Sequence, residues 1–169
     1  MGQPIVALLM GSKSDLPKLQ SAIDTLKEFG IDHTVRIMSA HRTPDAVMDF
    51  TSNAAANGCK VIMAAAGGAA HLAGVVAAHT TLPVIGIPIE NGAFQGFDAL
   101  LATVMMPGGV PVATVGVGSG GAKNAALLAV RILALSDSGI LEKLEIFRCT
   151  QAERVKSADA DLQLELGNN

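Results

Sequence analysis

Apolar residues follow two rhythms along this chain. Short runs rich in Val, Ile and Met, "PIVALLM", "HTVRIM", "KVIMAAA", "LPVIGIPI" and "GVPVATVGV", are each followed by a longer stretch whose apolar positions recur three and four apart. The short runs predict five strands and the longer ones helices, the alternation of an α/β chain with a parallel sheet. In every run except the second, both alternating sets of positions are apolar, as in strands covered by helices on both faces. The expected fold is therefore α/β: a three-layer αβα, doubly wound parallel sheet of about five strands. It forms a single domain over 1–160, with a frayed tail over 161–169.

The punctuation between the runs places the helices. The first spans about 16–29, with Ser14 or Asp15 as cap, Pro17 in its first turn and Gly30 as its stop. The second starts where Thr43 can cap and Pro44 takes the first helical position, and ends near Asn57 and Gly58. "AAHLAGVVAAH" predicts a short third helix, and 97–105 a fourth, closed by Pro107. "GSGGAKNAALLAVRILAL" predicts a long Ala/Leu helix and "ILEKLEIFRCTQAERVKSA" a last amphipathic one.

Composition narrows the partners. With 169 residues the chain can close a core without metals or disulfides. Hydrophobic residues make up 50% but aromatics only 3%, so the core must be packed from small aliphatic side chains. Charged residues are 16%, against roughly 25% in an average soluble domain. A monomer of this mass exposes about 7,800 Å², so the charge is thinly spread and part of the surface is expected to be buried in a homo-oligomer. A net charge of −3 with neither Trp nor Tyr supplies no basic stripe and no stacking platform, which argues against a nucleic-acid partner. The apolar run of "MGQPIVALLMGS" is too short to span a bilayer, so no membrane partner is expected. Cys59 and Cys149 lie far apart without metal-ligand spacing, which fits reduced thiols in the cytoplasm.

Polarity gathers where the strands end. In an open parallel sheet, ligands bind outside the carboxyl ends of the strands, where helix N-termini point inward. "GSKSD" puts Gly11, Ser12, Ser14 and Asp15 at the first such turn, which can hold an anion on free N–H groups or can simply cap the first helix. It matches neither common phosphate-loop pattern. "SAHR" brings Ser39, His41 and Arg42 to the second turn: Arg42 suits a phosphate or carboxylate, and His41 can move a proton near neutral pH. The same segment also reads as a capping loop with an incidental histidine. "AGGAAHLAG" sets Gly67, Gly68 and Gly74 around His71, either for close backbone approach to a ligand or for turn geometry alone. His33 and His79 read as structural or exposed. No His, Cys, Asp or Glu set has metal spacing, and no nucleophile elbow G-x-S-x-G occurs, so no metal cofactor and no covalent nucleophile are expected.

Taken together, "GSKSDLP", "SAHRTPD", "AGGAAHLAG", "LPVIGIPIENGAFQGFDALLATVMMPGGVPVATV" and "AKNAALLAVRIL" resemble the PurE-type N5-carboxyaminoimidazole ribonucleotide mutase family over about residues 5–135. The resemblance implies a flavodoxin-like domain that moves a carboxylate from N5 to C4 of an aminoimidazole ribonucleotide in purine biosynthesis. It implies no metal or organic cofactor, and a homo-octamer with sites at subunit junctions. Carried over by motif, Ser12 and Asp15 hold the ribose phosphate portion with Ser14 nearby, Arg42 binds substrate, and His41 transfers the proton. The expected binding set also takes in Gly11, Ser39, Ala40, Gly67, Gly68, His71 and Leu72. The chain departs from the family pattern at Ala73, where proline is familiar, in "IENGAFQG", where serine is usual, and at Met105. Two alternatives stand beside this reading: direct carboxylation of aminoimidazole ribonucleotide by CO₂, and a non-catalytic flavodoxin-like nucleotide-binding module.

Overall fold

The computed structural model describes residues 5–167. Its strands are β1 (Val6–Met10), β2 (His33–Ile37), β3 (Val61–Gly67), β4 (Val84–Ile89) and β5 (Ala113–Thr114). They form one sheet in the order β2-β1-β3-β4-β5, and every neighbouring pair is parallel. The helices are α1 (Leu16–Glu28), α2 (Pro44–Ala54), α3 (Leu72–Ala78), α4 (Phe97–Val104), α5 (Gly118–Ala134) and α6 (Ser138–Glu165). This is the expected three-layer, doubly wound arrangement.

Strand pleating divides the core in two. Val6, Leu8 and Met10 of β1, with Val61, Met63 and Ala65 of β3, point to the face covered by α1 and α5. Ala7, Leu9, Ile62 and Ala64 point to the face covered by α2 and α3. Helix α1 buries Leu19, Ala22, Ile23 and Leu26, the three-and-four spacing of one helical stripe. Helix α5 meets the same layer with Ala122, Ala125, Ala126 and Ala129, whose small side chains let it lie close. Gly86 of β4 is required by a similar approach on the other face. A Cβ there would come within 2.3 Å of Thr103 Cγ2 on α4.

Four local expectations change. The fifth strand shrinks to two residues because Pro111, just before it, has no N–H to donate to the sheet. Thr43 stands at the N-cap of α2 but makes no cap bond; its Oγ1 instead accepts from Ser39 N–H at 2.9 Å and donates to the Ser39 carbonyl. Helix α6 runs through Glu165, across most of the span expected to fray. Ala, Leu, Gln and Glu in 159–165 are good helix formers, Gln163 Nε2 donates to Asp159 Oδ1, and Gly167 with φ 70° supplies the stop; residues 168 and 169 lie outside the described residues. Lastly, α6 buries only Ile140 along its length, so its apolar positions do not form one buried stripe.

Candidate active site

The chain turns away from the sheet in opposite directions after β1 and β3, and that switch point opens a cleft of about 340 Å³. Four strand-end segments line it: Gly11, Ser12, Ser14 and Asp15 after β1; Ser39, Ala40, His41 and Arg42 after β2; Ala66, Gly67, Ala70, His71 and Leu72 after β3; and Asn91 after β4. All the expected site residues except Gly68 are in that lining. Gly68, with φ 62°, makes the turn out of β3 and does not line the cleft.

The first segment is rigid before any ligand arrives. Residues Lys13–Asp15 form a 3₁₀ turn that leads straight into α1, and Ser12, not Ser14 or Asp15, supplies the side-chain cap. Ser12 Oγ accepts from Ser14 N–H at 3.3 Å and from Ser14 Oγ at 2.8 Å, while Asp15 Oδ2 accepts from Ser12 N–H at 3.2 Å. These reciprocal bonds make a capping box. Asp15 is only 4% exposed. Burial pushes its carboxyl above the ordinary value, against lowering pulls from the Ser12 N–H, Lys18, Ser14 and Arg42. A carboxylate kept at such a cost and aimed into a cleft suits hydroxyl donors on a ligand, not a phosphate.

The second segment is tied to itself and to the first. Ser39 Oγ accepts from the N–H groups of His41 at 3.3 Å and Arg42 at 3.1 Å. Arg42 Nη2 donates to the Gly11 carbonyl at 3.0 Å and Nε approaches Ser39 Oγ at 3.5 Å, which clamps the β1 and β2 loops together. The remaining N–H groups of the guanidinium are left for an anion.

The third segment meets the second through two imidazoles. His41 Nε2 and His71 Nδ1 are 2.7 Å apart, and the rings meet edge to face with centroids 4.8 Å apart. Two ring nitrogens at that distance share one proton: one donates and the other accepts. The pair can therefore hold and hand over a proton at the mouth of the cleft. Ala70 helps to present His71, and its φ of 37° is a conformation uncommon for a residue with a Cβ.

Ala66, Ala70 and Asn91 also line the cleft and were not in the expected binding set. The polar run "IENGAFQG" marked the end of β4 as part of the rim, but nothing in the local pattern distinguishes Asn91 from its neighbours. His33 and His79 stay outside the cleft; their Nδ1 atoms contact the carbonyls of Ile31 and Val75. Among the described residues no three His, Cys, Asp or Glu side chains converge as a metal set, and no helix is long and apolar enough to cross a membrane.

Comparison with known proteins gives a consistent result. The family described as AIR carboxylase matches residues 5–154. An N5-carboxyaminoimidazole ribonucleotide mutase of Vibrio parahaemolyticus is 48% identical over 150 residues, which cover 89% of this chain and 93% of that protein. Proteins with the same name from Saccharolobus solfataricus and Mycobacterium leprae are 52% and 51% identical, over 85% and 95% of this chain and 90% and 93% of their own lengths. The crystal structure of Treponema denticola PurE superposes with a TM-score of 0.86 at 32% identity, covering 95% of this chain and 99% of that one.

Proposed function

Because the chain belongs to the AIR carboxylase family, we propose that it isomerises N5-carboxyaminoimidazole ribonucleotide to 4-carboxyaminoimidazole ribonucleotide in purine biosynthesis, with His41 as the proton carrier. Relatives about half identical over nearly their whole length carry the mutase name, which favours this reaction over direct carboxylation. The observation that carries the His41 assignment is its contact with His71 inside the cleft.

The chemistry asks for little beyond a proton, a small enclosure and a grip on the nucleotide. His41 gives a proton to N5, the N5–carboxyl bond breaks, and CO₂ is released with the bonding electrons left on nitrogen. C4 of the electron-rich ring then attacks CO₂ to form the new C–C bond, and the hydrogen on C4 returns as a proton to His41. The imidazole ends as it began. Holding CO₂ beside C4 replaces a bimolecular encounter with a pre-positioned one. Gly67, Ala66 and Ala70 suit that task, since small side chains let the backbone close over a small molecule. Asp15 and the Ser12 turn take the ribose, Arg42 takes the phosphate, and Ser39, Ala40 and Leu72 complete the wall. His71 orients the His41 ring through the shared proton.

The working form is a homo-oligomer, and eight copies is the number the family resemblance implies. The described chain exposes 9338 Å², against about 7,800 Å² for a compact monomer of this mass. Large apolar side chains lie bare, with Met105 77% and Leu135 88% exposed. The two free cysteines fit a cytoplasmic setting.

The test is turnover without ATP on purified protein. N5-carboxyaminoimidazole ribonucleotide is consumed by the wild type, and His41→Asn loses at least ~100-fold in kcat while still binding nucleotide. Consumption of aminoimidazole ribonucleotide plus bicarbonate, with none of the carbamate, overturns the reading in favour of direct carboxylation. Unchanged turnover in His41→Asn removes the proton role.

A further inference from the structure

The fourth strand-end segment of the cleft, after β4, is held by a contact from a helix. Lys18, in the first turn of α1, reaches the loop after β4, where Nζ donates to the Glu90 carbonyl and to Asn91 Oδ1, the latter at 3.1 Å. The loop has no regular structure of its own: Gly92, Gln95 and Gly96 all take left-handed φ values. Lys18 is thus what ties its start to α1.

The contact also settles which way the Asn91 carboxamide faces. An ammonium offers only donors, so the amide oxygen must point at Lys18 and the NH₂ must point away from it. On that side lies Gly67, at the end of β3 and in the wall of the cleft. Asn91 Nδ2 would sit 3.0 Å from a Cβ built on Gly67, and the Ile89 carbonyl 3.2 Å from it. The absence of a side chain at 67 is what leaves room for the amide. Asn91 itself lines the cleft, and among the described residues no protein acceptor pairs with its NH₂. Asn91 is exposed, so its oriented NH₂ faces solvent at the cleft wall, where an acceptor on a bound ligand can take it.

We propose that Lys18 and Asn91 form a positioning pair, in which Lys18 orients the carboxamide and Asn91 donates a hydrogen bond to an oxygen of the ribose phosphate portion of the bound nucleotide. The inference rests on the mutase reading for the identity of that nucleotide. The ribose phosphate side is chosen because Lys18 stands in the first turn of α1, directly after the Ser12–Asp15 turn to which that portion is assigned.

The experiment measures Kd for aminoimidazole ribonucleotide by calorimetry, and kcat and KM for the mutase reaction, on the intact protein. Lys18→Met and Asn91→Ala weaken nucleotide binding by about 5- to 20-fold, the size of one lost hydrogen bond, and the loss appears in KM and not in kcat. Lys18→Arg restores affinity to within about twofold of wild type, because a guanidinium also offers only donors. Asn91→Asp is decisive: it keeps and strengthens the tie to Lys18 but has no NH₂, so binding stays weak. If Asn91→Asp binds like wild type, the pair only pins the loop and the proposal is wrong. Unchanged Kd in both Lys18→Met and Asn91→Ala, or a fall in kcat with KM unmoved, overturns it too. Absence of wild-type turnover with nucleotide binding intact sinks the mutase reading instead, and the Kd comparison still decides the donor role.

Discussion

Gly86 offers a sharp test of how β4 seats α4, and with it the loop that begins at Glu90 and Asn91. A methyl group added at Gly86 falls 2.3 Å from Thr103 Cγ2, 2.9 Å from Val112 Cγ1 and 3.3 Å from Ala73 Cβ. Carbon atoms in contact prefer roughly 3.5 Å or more, so the first of these is too short by over an ångström. Thr103 cannot turn away cheaply, since it is buried, β-branched and bonded through Oγ1 to the Ala99 carbonyl at 2.7 Å. Gly86→Ala should therefore cost about 3 kcal/mol by overpacking. Thr103→Ser removes the offending methyl but keeps the hydroxyl, and should cost about 1 kcal/mol. Together the two changes move one methyl across the same contact and conserve volume. The double variant should then lose only about 1–2 kcal/mol in place of the additive ~4, a coupling of roughly 2–3 kcal/mol. In melting experiments at one fixed protein concentration, Gly86→Ala should fall by about 6–12 °C, with roughly one to two thirds of that regained in the double variant. Additive losses would refute the reasoning, because they would mean that Thr103 is not what meets the new methyl.

Asp15→Asn separates stability from binding. Since burial holds the Asp15 carboxyl above its ordinary 3.8, the folded state keeps the proton more tightly than the unfolded one. Its contribution to folding is therefore fully present below pH 3.8 and is lost as pH rises through the raised folded pKa. Asparagine keeps an acceptor for Ser12 N–H and carries no charge, so at pH 7 the variant should melt above wild type while nucleotide affinity falls; a lower melting point contradicts this. Gly121→Ala would set a Cβ 1.7 Å from the Gly116 carbonyl oxygen, which is backbone and cannot step aside, so a loss above ~4 kcal/mol is expected in urea unfolding. Lys143 Nζ donates to the Phe29 carbonyl at the C-terminal end of α1 at 2.8 Å, so Lys143→Met should lower the urea midpoint by an amount worth about 1–2 kcal/mol.

The elements of the fold were legible because each obeys a local rule. Short unbroken apolar runs such as "KVIMAAA", rich in β-branched residues and bounded by turn residues, read as strands buried on both faces, and Pro17, Gly30 and Pro44 mark helix ends through their own backbone limits. Ser12, His41 and Arg42 were legible as site candidates for the same reason, since each follows a strand directly and strand ends in such a sheet face a common edge. Local rules failed where the competing interaction was not local. Thr43 abandoned its cap for Ser39, and α6 continued past Ala158 although no residue of that last stretch is buried. Only the tertiary structure decided which strand ends meet. The order β2-β1-β3-β4-β5 sets the loops after β1, β2 and β3 around one switch point, and so brings His41 against His71 across 30 residues and Lys18 against Asn91 across 73. Strand order is chosen by which helix faces can be buried together, a property of the whole packed core, and no short stretch of sequence carries it.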